Sequence, residues 1–145
     1  MSHENVELVL RLQPPRDLDL AHLFRDDAAV AAMTKVVAPK LHPDFAVVGI
    51  EPTRGETTYR GFDGLMEAWL DWLSPWETYR TEIDEASDLG DRVLLFVRDF
   101  GRRKGSTQDV VQNAASVWTL REGKVVRAEF YADRTTALES VGLEG

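Results

Sequence analysis

Few side chains in this chain are of the types that bind metals or act as nucleophiles, since it has three histidines and no cysteine. His3 and His22 are isolated, and no second histidine or cysteine stands at a metal-ligand spacing from either. His42 can shuttle a proton, although a water-exposed histidine in the turn His42-Pro43-Asp44 is the simpler interpretation. The lack of cysteine excludes thiolate chemistry and disulfides. We therefore predict no metal site and no cofactor.

Three polar side chains are candidates to reach an otherwise apolar pocket. Arg98 can hold an anion or a carbonyl oxygen, but it is also typical of a solvated arginine at a strand end. Gln112 can donate a hydrogen bond to a bound molecule or lie at the rim of the pocket. Tyr59 is the third candidate. If the chain is an enzyme, Tyr59 and Arg98 are the candidates for a catalytic role.

Residues 109–133, DVVQNAASVWTLREGKVVRAEFYAD, are the element that positions most of the pocket, because they are typical of a β-hairpin. A two-residue loop would mix charge into both faces of the hairpin. A three-residue loop, Arg121-Glu122-Gly123, with Gly123 in the left-handed region gives one nearly apolar face, so we expect that register. The expected pairs are Leu120 with Lys124, Trp118 with Val126, Ser116 with Ala128, and Ala114 with Phe130.

The strand predicted over residues 92–104 is apolar on both faces. We expect Arg98 to share the pocket side with Leu94, Phe96 and Phe100. The opposite side would then carry the exposed apolar patch of a symmetric homodimer. Asp99 lies on that opposite side in this interpretation, and Glu129 likewise lies outside the pocket.

The remaining elements follow from apolar periodicity and from helix start and stop signals. The expected helices have N-caps at Ser2, Asp17, Asp27 and Asp63, and a last one covers residues 134–141. The other expected strands cover residues 45–51, 56–60 and 78–86. Helices followed by strands with one helix interposed favour an α+β fold, with a curved, mostly antiparallel sheet wrapped on N-terminal helices. At 145 residues we expect a single domain, 1–145.

The charge balance is acidic, with a net charge of −8 and a pI near 4.9. Binding to nucleic acid or to an anionic membrane favours basic patches, so we expect neither partner. No apolar stretch approaches the ~18 residues of a membrane span, and no signal-peptide pattern opens the sequence. A cytoplasmic location is the default expectation.

Three segments resemble the SnoaL-like branch of the nuclear transport factor 2-like superfamily. They are YRGFDGL at 59–65, VWTLREGKVV at 117–126, and YADR at 131–134 followed by Ala137-Leu138 and Gly142-Leu143. The resemblance implies a cystatin-like cone, or α+β barrel, with a pocket at its open end. The N-terminal third differs from the family's usual two-helix start by a longer stretch around residues 24–27.

Relatives in that superfamily include polyketide cyclases, ketosteroid isomerase and limonene epoxide hydrolase, which use acid–base chemistry in the cone. The resemblance places their proton-transfer groups at Gly49, Ser116 and Phe130, and for the epoxide hydrolase also near Arg92 and Leu94. None of the residues at the acidic positions titrates near neutral pH. The resemblance therefore implies an apolar pocket without the usual acid–base residues.

Three hypotheses follow. The chain is a module that binds a small apolar or aromatic molecule, an isomerase, cyclase or epoxide-hydrolase-like enzyme for a polyketide-, steroid- or terpenoid-like substrate, or a dimeric interaction scaffold. A titratable group with a perturbed pKa inside the pocket would separate the second hypothesis from the first. The predicted ligand-binding residues are Phe45, Val47, Tyr59, Met66, Trp69, Phe96, Gln112, Ser116, Trp118 and Phe130.

Overall fold

Helices and one six-stranded sheet make up the computed structural model, which describes residues 2–51 and 55–142. The helices are α1 (Ser2–Leu12), α2 (Leu20–Leu23), α3 (Asp27–Val37), α4 (Gly61–Leu73) and α5 (Arg134–Ser140), with a 3-10 turn at Ala38–Lys40. The strands are β1 (Leu41–Glu51), β2 (Gly55–Arg60), β3 (Trp76–Asp88), β4 (Arg92–Arg103), β5 (Asp109–Arg121) and β6 (Lys124–Tyr131). This order confirms the predicted α+β class.

The strands pair in the order β2-β1-β6-β5-β4-β3. Every neighbouring pair is antiparallel except β1 and β6, which run parallel. The mostly antiparallel sheet is therefore also confirmed. The long hairpin β5–β6 lies at its centre, so the side chains of that hairpin reach the middle of both faces.

Helices cover the two faces of the sheet differently. On one face, which we call the inner face, α1 and α4 pack on a core that includes Val47, Leu95 and Trp118. On the opposite, outer face, α5 packs on a second core that includes Val117 and Tyr131. Successive side chains of a strand alternate between these two faces, so a residue's register decides which environment it enters.

The turn between β5 and β6 corrects the predicted register. Arg121 pairs directly with Lys124, so the loop has two residues, Glu122 and Gly123, with φ of 56° and 78°. Positive φ at both positions is the signature of a type I′ turn. A register shift after Leu120 then pairs Trp118 with Ala128 and Ser116 with Phe130. The shift restores the expected face, because Ser116, Trp118, Ala128 and Phe130 still point to the same side.

The faces of β4 are the reverse of those predicted. Val93, Leu95 and Val97 pack in the inner core, whereas Leu94 and Phe96 belong to the outer core beneath α5. A strand that is apolar on both faces has no alternation from which to infer its orientation. The expected exposed patch therefore packs on the inner core, where Val93 and Leu95 are buried and Val97 is half-buried.

Several element boundaries also differ from the prediction. Asp19 caps α2 and Asp26 caps α3, each one or two residues from the predicted Asp17 and Asp27. The N-cap position of α4 is Arg60 rather than Asp63. Strand β1 already begins at Leu41, so His42-Pro43-Asp44 belongs to a strand. The turn predicted at 53–55 lies mostly outside the described residues.

Candidate functional site

The predicted ligand-binding residues fall into three groups in the structure. Four are buried, Phe45, Val47, Ser116 and Trp118. Five are half-buried, Tyr59, Met66, Trp69, Gln112 and Phe130. Phe96 is a correction, because β4 turns it to the outer face, where its ring lies 4.8 Å from the Arg134 guanidinium. Those of the other nine whose packing the structure shows lie on the inner face. The half-buried ones mark where that face meets solvent.

A chain of aromatic rings crosses this half-buried region. Trp69 of α4 stacks on Phe24, with ring centroids 6.0 Å apart and planes 20° from parallel. The Trp69 ring also meets Phe130 edge-on at 5.8 Å, and Phe130 meets Trp118 in the same way at 5.8 Å. These contact geometries are the favourable stacked and T-shaped ones. The aromatic chain therefore links α4 to the inner face of the central hairpin.

Ser116 lies opposite Phe130 on the neighbouring strand, and we call this uncharged position the floor of the site. It is 3% exposed, and its hydroxyl oxygen accepts a 2.9 Å hydrogen bond from the indole nitrogen of Trp118. The resemblance places a proton-transfer residue at this position in the cyclases. Here the serine hydroxyl does not titrate near neutral pH and is engaged by Trp118, so the floor of the site supplies no acid or base.

Open space lies beside Phe130 on the inner face. Gly49 pairs with Phe130 across β1 and β6, and it shares the face of Val47. A Cβ atom built on Gly49 would meet no other atom within 4 Å. The inner face therefore has unfilled volume next to the aromatic chain.

Asp99 is the titratable residue that the sequence reasoning placed on the wrong face. It alternates in step with Leu95 and Val97, so it points to the inner face and not outwards. Its carboxylate accepts a 2.7 Å hydrogen bond from the phenolic hydroxyl of Tyr79, which is 3% exposed. Gln112 lies directly opposite Asp99 on β5. The inner face therefore carries a carboxyl group after all.

The environment of this pair shifts both pKa values upward. Burial raises the pKa of Asp99, and hydrogen bonds from Tyr79 and Thr81 partly offset that rise. Burial is also the main cause that raises the pKa of Tyr79, and the neighbouring Asp99 charge adds to it, while a hydrogen bond from Trp72 opposes it. Tyr79 consequently stays a neutral donor at neutral pH. Asp99 therefore has a pKa above the ordinary carboxyl value, and burial is the main cause.

A compact aromatic cluster surrounds the Tyr79 ring. Trp76 and Trp72 lie 5.2 and 6.1 Å from it between centroids, and both meet it edge-on or nearly so. Trp69 packs against the same cluster. Trp69 therefore contacts both Phe130 and the cluster that contains Tyr79.

The two predicted catalytic candidates do not join this pair. Arg98 alternates with Asp99, so it lies on the outer face, where its Nε donates to Asp84 at 2.8 Å. The hydroxyl of Tyr59 donates to the exposed carboxylate of Asp71 on α4 at 3.2 Å, although its ring packs against the inner core. Glu129 pairs with Val117 on the outer face, as predicted.

The histidines stay apart from the site. The side chain of His42 is only 14% exposed and lies between Asp44 and Glu122, at 3.8 and 3.6 Å, so it is not the water-exposed turn residue that we expected. Among residues 2–51 and 55–142, no three histidine, aspartate or glutamate side chains are grouped so as to hold a metal ion. Within that same part of the chain, no helix has the length and apolarity to cross a membrane.

Two open depressions flank α2 on the surface. They measure about 490 and 340 Å³, and residues Asp19, His22 and Asp26 line both. Asp19 and Asp26 already accept hydrogen bonds from the helix N-termini that they cap. These side chains serve the local fold, so the inner-face site with its half-buried Asp99 carboxyl group is the better candidate.

The comparisons with known proteins agree with the fold. Residues 19–128 match the model of the SnoaL-like domain, so the chain belongs to this family. A putative SnoaL-like polyketide cyclase from Jannaschia sp. CCS1 shares 17% identity and a TM-score of 0.67, covering 99% of this chain and 94% of its own. TerC co-crystallised with polyporic acid shares 21% identity and a TM-score of 0.62, covering 95% and 98%.

A further similar structure is a hypothetical protein with a ketosteroid isomerase-like fold from Catenulispora acidiphila, in complex with trimethylamine. It shares 19% identity and a TM-score of 0.57, covering 73% of this chain and 79% of its own. A search of curated proteins finds no match. At these identities the likeness establishes the fold, and the chemistry has to be argued from this chain's own residues.

Proposed function

We propose that this SnoaL-like protein binds a small, largely apolar aromatic molecule at the half-buried aromatic chain of the inner face, and that Asp99 transfers a proton to or from it. The reaction class is an isomerisation or cyclisation through removal of a carbon-bound hydrogen next to a carbonyl group. This is the enzyme hypothesis with Asp99 as the catalytic residue. Arg98 does not take that role, because it lies on the outer face.

The single observation that carries the proposal is the Tyr79–Asp99 pair on the inner face. A carboxyl group turned towards an apolar environment is costly to ionise, and a functional role is a frequent reason for such a group. Tyr79 holds one carboxylate oxygen at 2.7 Å, which orients the group. Asp99 itself remains partly exposed, so a bound molecule can reach it.

Each polar group has a separate role in this proposal. Asp99 accepts the proton from carbon and returns it at another atom. Tyr79 orients Asp99 and donates to it, acting through the carboxylate rather than on the substrate. Gln112, opposite Asp99, donates a hydrogen bond to the carbonyl oxygen. The aromatic chain binds the apolar body of the molecule.

Proton exchange in D₂O tests this directly. The protein is incubated with an aryl-fused cyclic ketone such as tetralone, and loss of the hydrogen signals next to the carbonyl group is followed by proton NMR. Loss of a general base typically costs about 10²–10⁴-fold in rate, so Asp99→Asn should slow enzyme-dependent exchange by that factor. Asp63→Asn, which changes an exposed carboxylate on α4, is the matched control and should leave the rate unchanged.

Equal exchange by the wild type and Asp99→Asn would contradict the catalytic proposal. A second candidate, binding without turnover, is favoured by the neutral floor at Ser116, where the serine hydroxyl is held by Trp118. That candidate expects the wild type to bind naphthol while exchanging the tetralone hydrogens no faster than buffer does.

A further inference from the structure

We propose that Phe24 is a gate that occupies the stacking position of a planar aromatic ring on Trp69, and that a planar ligand must displace it. The inference rests on the proposed function, because it concerns the same inner-face site. It adds the shape of the ligand and a residue that controls access. The ligand class is a flat, fused or conjugated ring system rather than a puckered apolar one.

The geometry of Trp69 is the basis of this proposal. Its ring lies within 20° of parallel to Phe24, whereas it meets Phe130 at 75°. Phe24 therefore lies nearly parallel to the indole and offset from it at 6.0 Å, and the Phe130 ring is T-shaped to the indole. A flat ligand ring stacked on Trp69 would take the orientation that Phe24 has now.

The backbone around Phe24 allows this exchange. Phe24 is the C-cap residue of α2 and begins the short connection to α3. Leu20 and Ala21 of α2 are buried and anchor that helix, whereas α3 has no buried residue. A shift of the connection between an anchored helix and a surface helix therefore costs mainly the contacts that Phe24 makes with the cluster around Tyr79.

One contact limits how far the connection moves. Arg25, the next residue, donates a 2.7 Å hydrogen bond to the carbonyl oxygen of Trp76. It therefore holds the backbone to β3 while the neighbouring Phe24 side chain stays half-buried. The motion that opens the gate is accordingly a side-chain rotation with a small backbone shift, not the departure of a helix.

Open space for the edge of a displacing ligand lies beside Gly49. Gly49 leaves open space beside Phe130, whose ring is T-shaped to that of Trp69. Trp69 also packs against the cluster around Tyr79. A flat molecule on Trp69 can therefore extend towards the open side of Phe130 while it lies against the cluster that contains Tyr79.

Binding of naphthol and decalol tests the gate, because they share a carbon skeleton but only naphthol is flat. Isothermal titration calorimetry is done on the full chain as wild type, Phe24→Ala and Phe24→Leu. In the wild type, the Phe24 ring competes with naphthol for Trp69, and one aromatic stack corresponds to about two- to tenfold in affinity. Phe24→Ala removes this competition and should bind naphthol tighter by that factor. Phe24→Leu keeps the apolar bulk and should gain less. Decalol affinity should stay unchanged.

Leu23→Ala, one residue earlier and packed against the same cluster, is the control for general loosening of α2. Its naphthol affinity should match that of the wild type or fall. Unchanged or weaker naphthol binding in both Phe24 variants would overturn the gate while leaving the proposed function standing. Failure of naphthol to bind any of the proteins, wild type included, would overturn the gate and count against the ligand site itself.

Discussion

The hydroxyl of Tyr79 donates a 2.7 Å hydrogen bond to the carboxylate of Asp99, and the two side chains lie on neighbouring strands of the inner face. Gly101 of β4 stands directly opposite Tyr79 and leaves room for the Trp76 ring above it. A glycine, a tyrosine and an aspartate on two adjacent strands thus build the polar end of an otherwise apolar site.

The first prediction concerns the pH dependence of stability. Asp99 has a raised pKa in the folded protein, so between its ordinary pKa of about 3.9 and the folded value the folded state binds more protons than the unfolded state. The contribution of Asp99 to stability therefore falls as pH rises through that interval. Asp99→Asn cannot ionise and should lose less stability than the wild type. Urea unfolding at several pH values measures this, and parallel curves for the two proteins would refute it.

The second prediction concerns two glycines with opposite surroundings. A Cβ atom at Gly101 would lie 2.6 Å from ring carbons of Trp76, whereas at Gly49 it would meet nothing within 4 Å. Overpacking a core costs about 1–3 kcal/mol, so Gly101→Ala should destabilise the protein by that amount. Gly49→Ala, the control, should stay within about 0.5 kcal/mol of the wild type. Equal melting temperatures for the two variants would show that the Trp76 ring does not rest on Gly101.

The third prediction concerns the attachment of α2 to the sheet. The Oδ1 atom of Asp19 accepts hydrogen bonds from the backbone nitrogens of Ala21 and Tyr79, both at 3.0 Å. Asp19→Ala should therefore lower the free energy of unfolding by about 1–2 kcal/mol, the range for loss of a helix N-cap. The exposed Asp17, which sequence reasoning took for the cap, is the control, and Asp17→Ala should be nearly neutral. A reversed order of the two losses in chemical denaturation would contradict the account.

The fourth prediction keeps the expected homodimer but changes its surface. Val111 is 59% exposed and pairs with Phe100 on the outer face, whereas Val110 is 42% exposed and alternates to the other side. We propose that two copies associate through this outer face. Light scattering at micromolar concentration should give a dimer for the wild type and Val110→Asp, and a monomer for Val111→Asp. A monomeric wild type would refute the proposal.

Local turn chemistry explains what the sequence could and could not predict about the hairpin. The position of the turn was predicted from Gly123. The pattern of apolar residues predicted that Ser116, Trp118 and Phe130 lie on the same face of the hairpin. The pairing partners were wrong because Glu122 also adopts a positive φ, which shortens the loop, and a register shift compensates. No residue in that stretch indicates the shift. Two registers that differ by two residues place the same side chains on the inner face, so the apolar pattern cannot distinguish them.

The error at Asp99 has a different physical origin. Hydrophobic alternation assigns faces only where one face is polar, and β4 is buried on both. The apolar pattern of β4 therefore fits either orientation of the strand, and it does not determine the face on which Asp99 lies. One usable signal was Gly101, because a glycine in a strand often marks the close approach of a bulky group, here Trp76. Gly101 therefore indicates the face that packs against Trp76. Asp99 lies on the same face, because it is two residues away on the same strand.

Titration of the Asp99 carboxyl carbon by ¹³C NMR, with and without saturating naphthol, tests the central claim most directly. We predict a midpoint above the ordinary value of about 3.9 in the free protein, because the carboxyl group lies in an apolar environment. The midpoint should rise further with naphthol, since a ligand on the aromatic chain excludes water from Asp99. An ordinary midpoint that naphthol leaves unchanged would contradict the assignment of Asp99 to a ligand site.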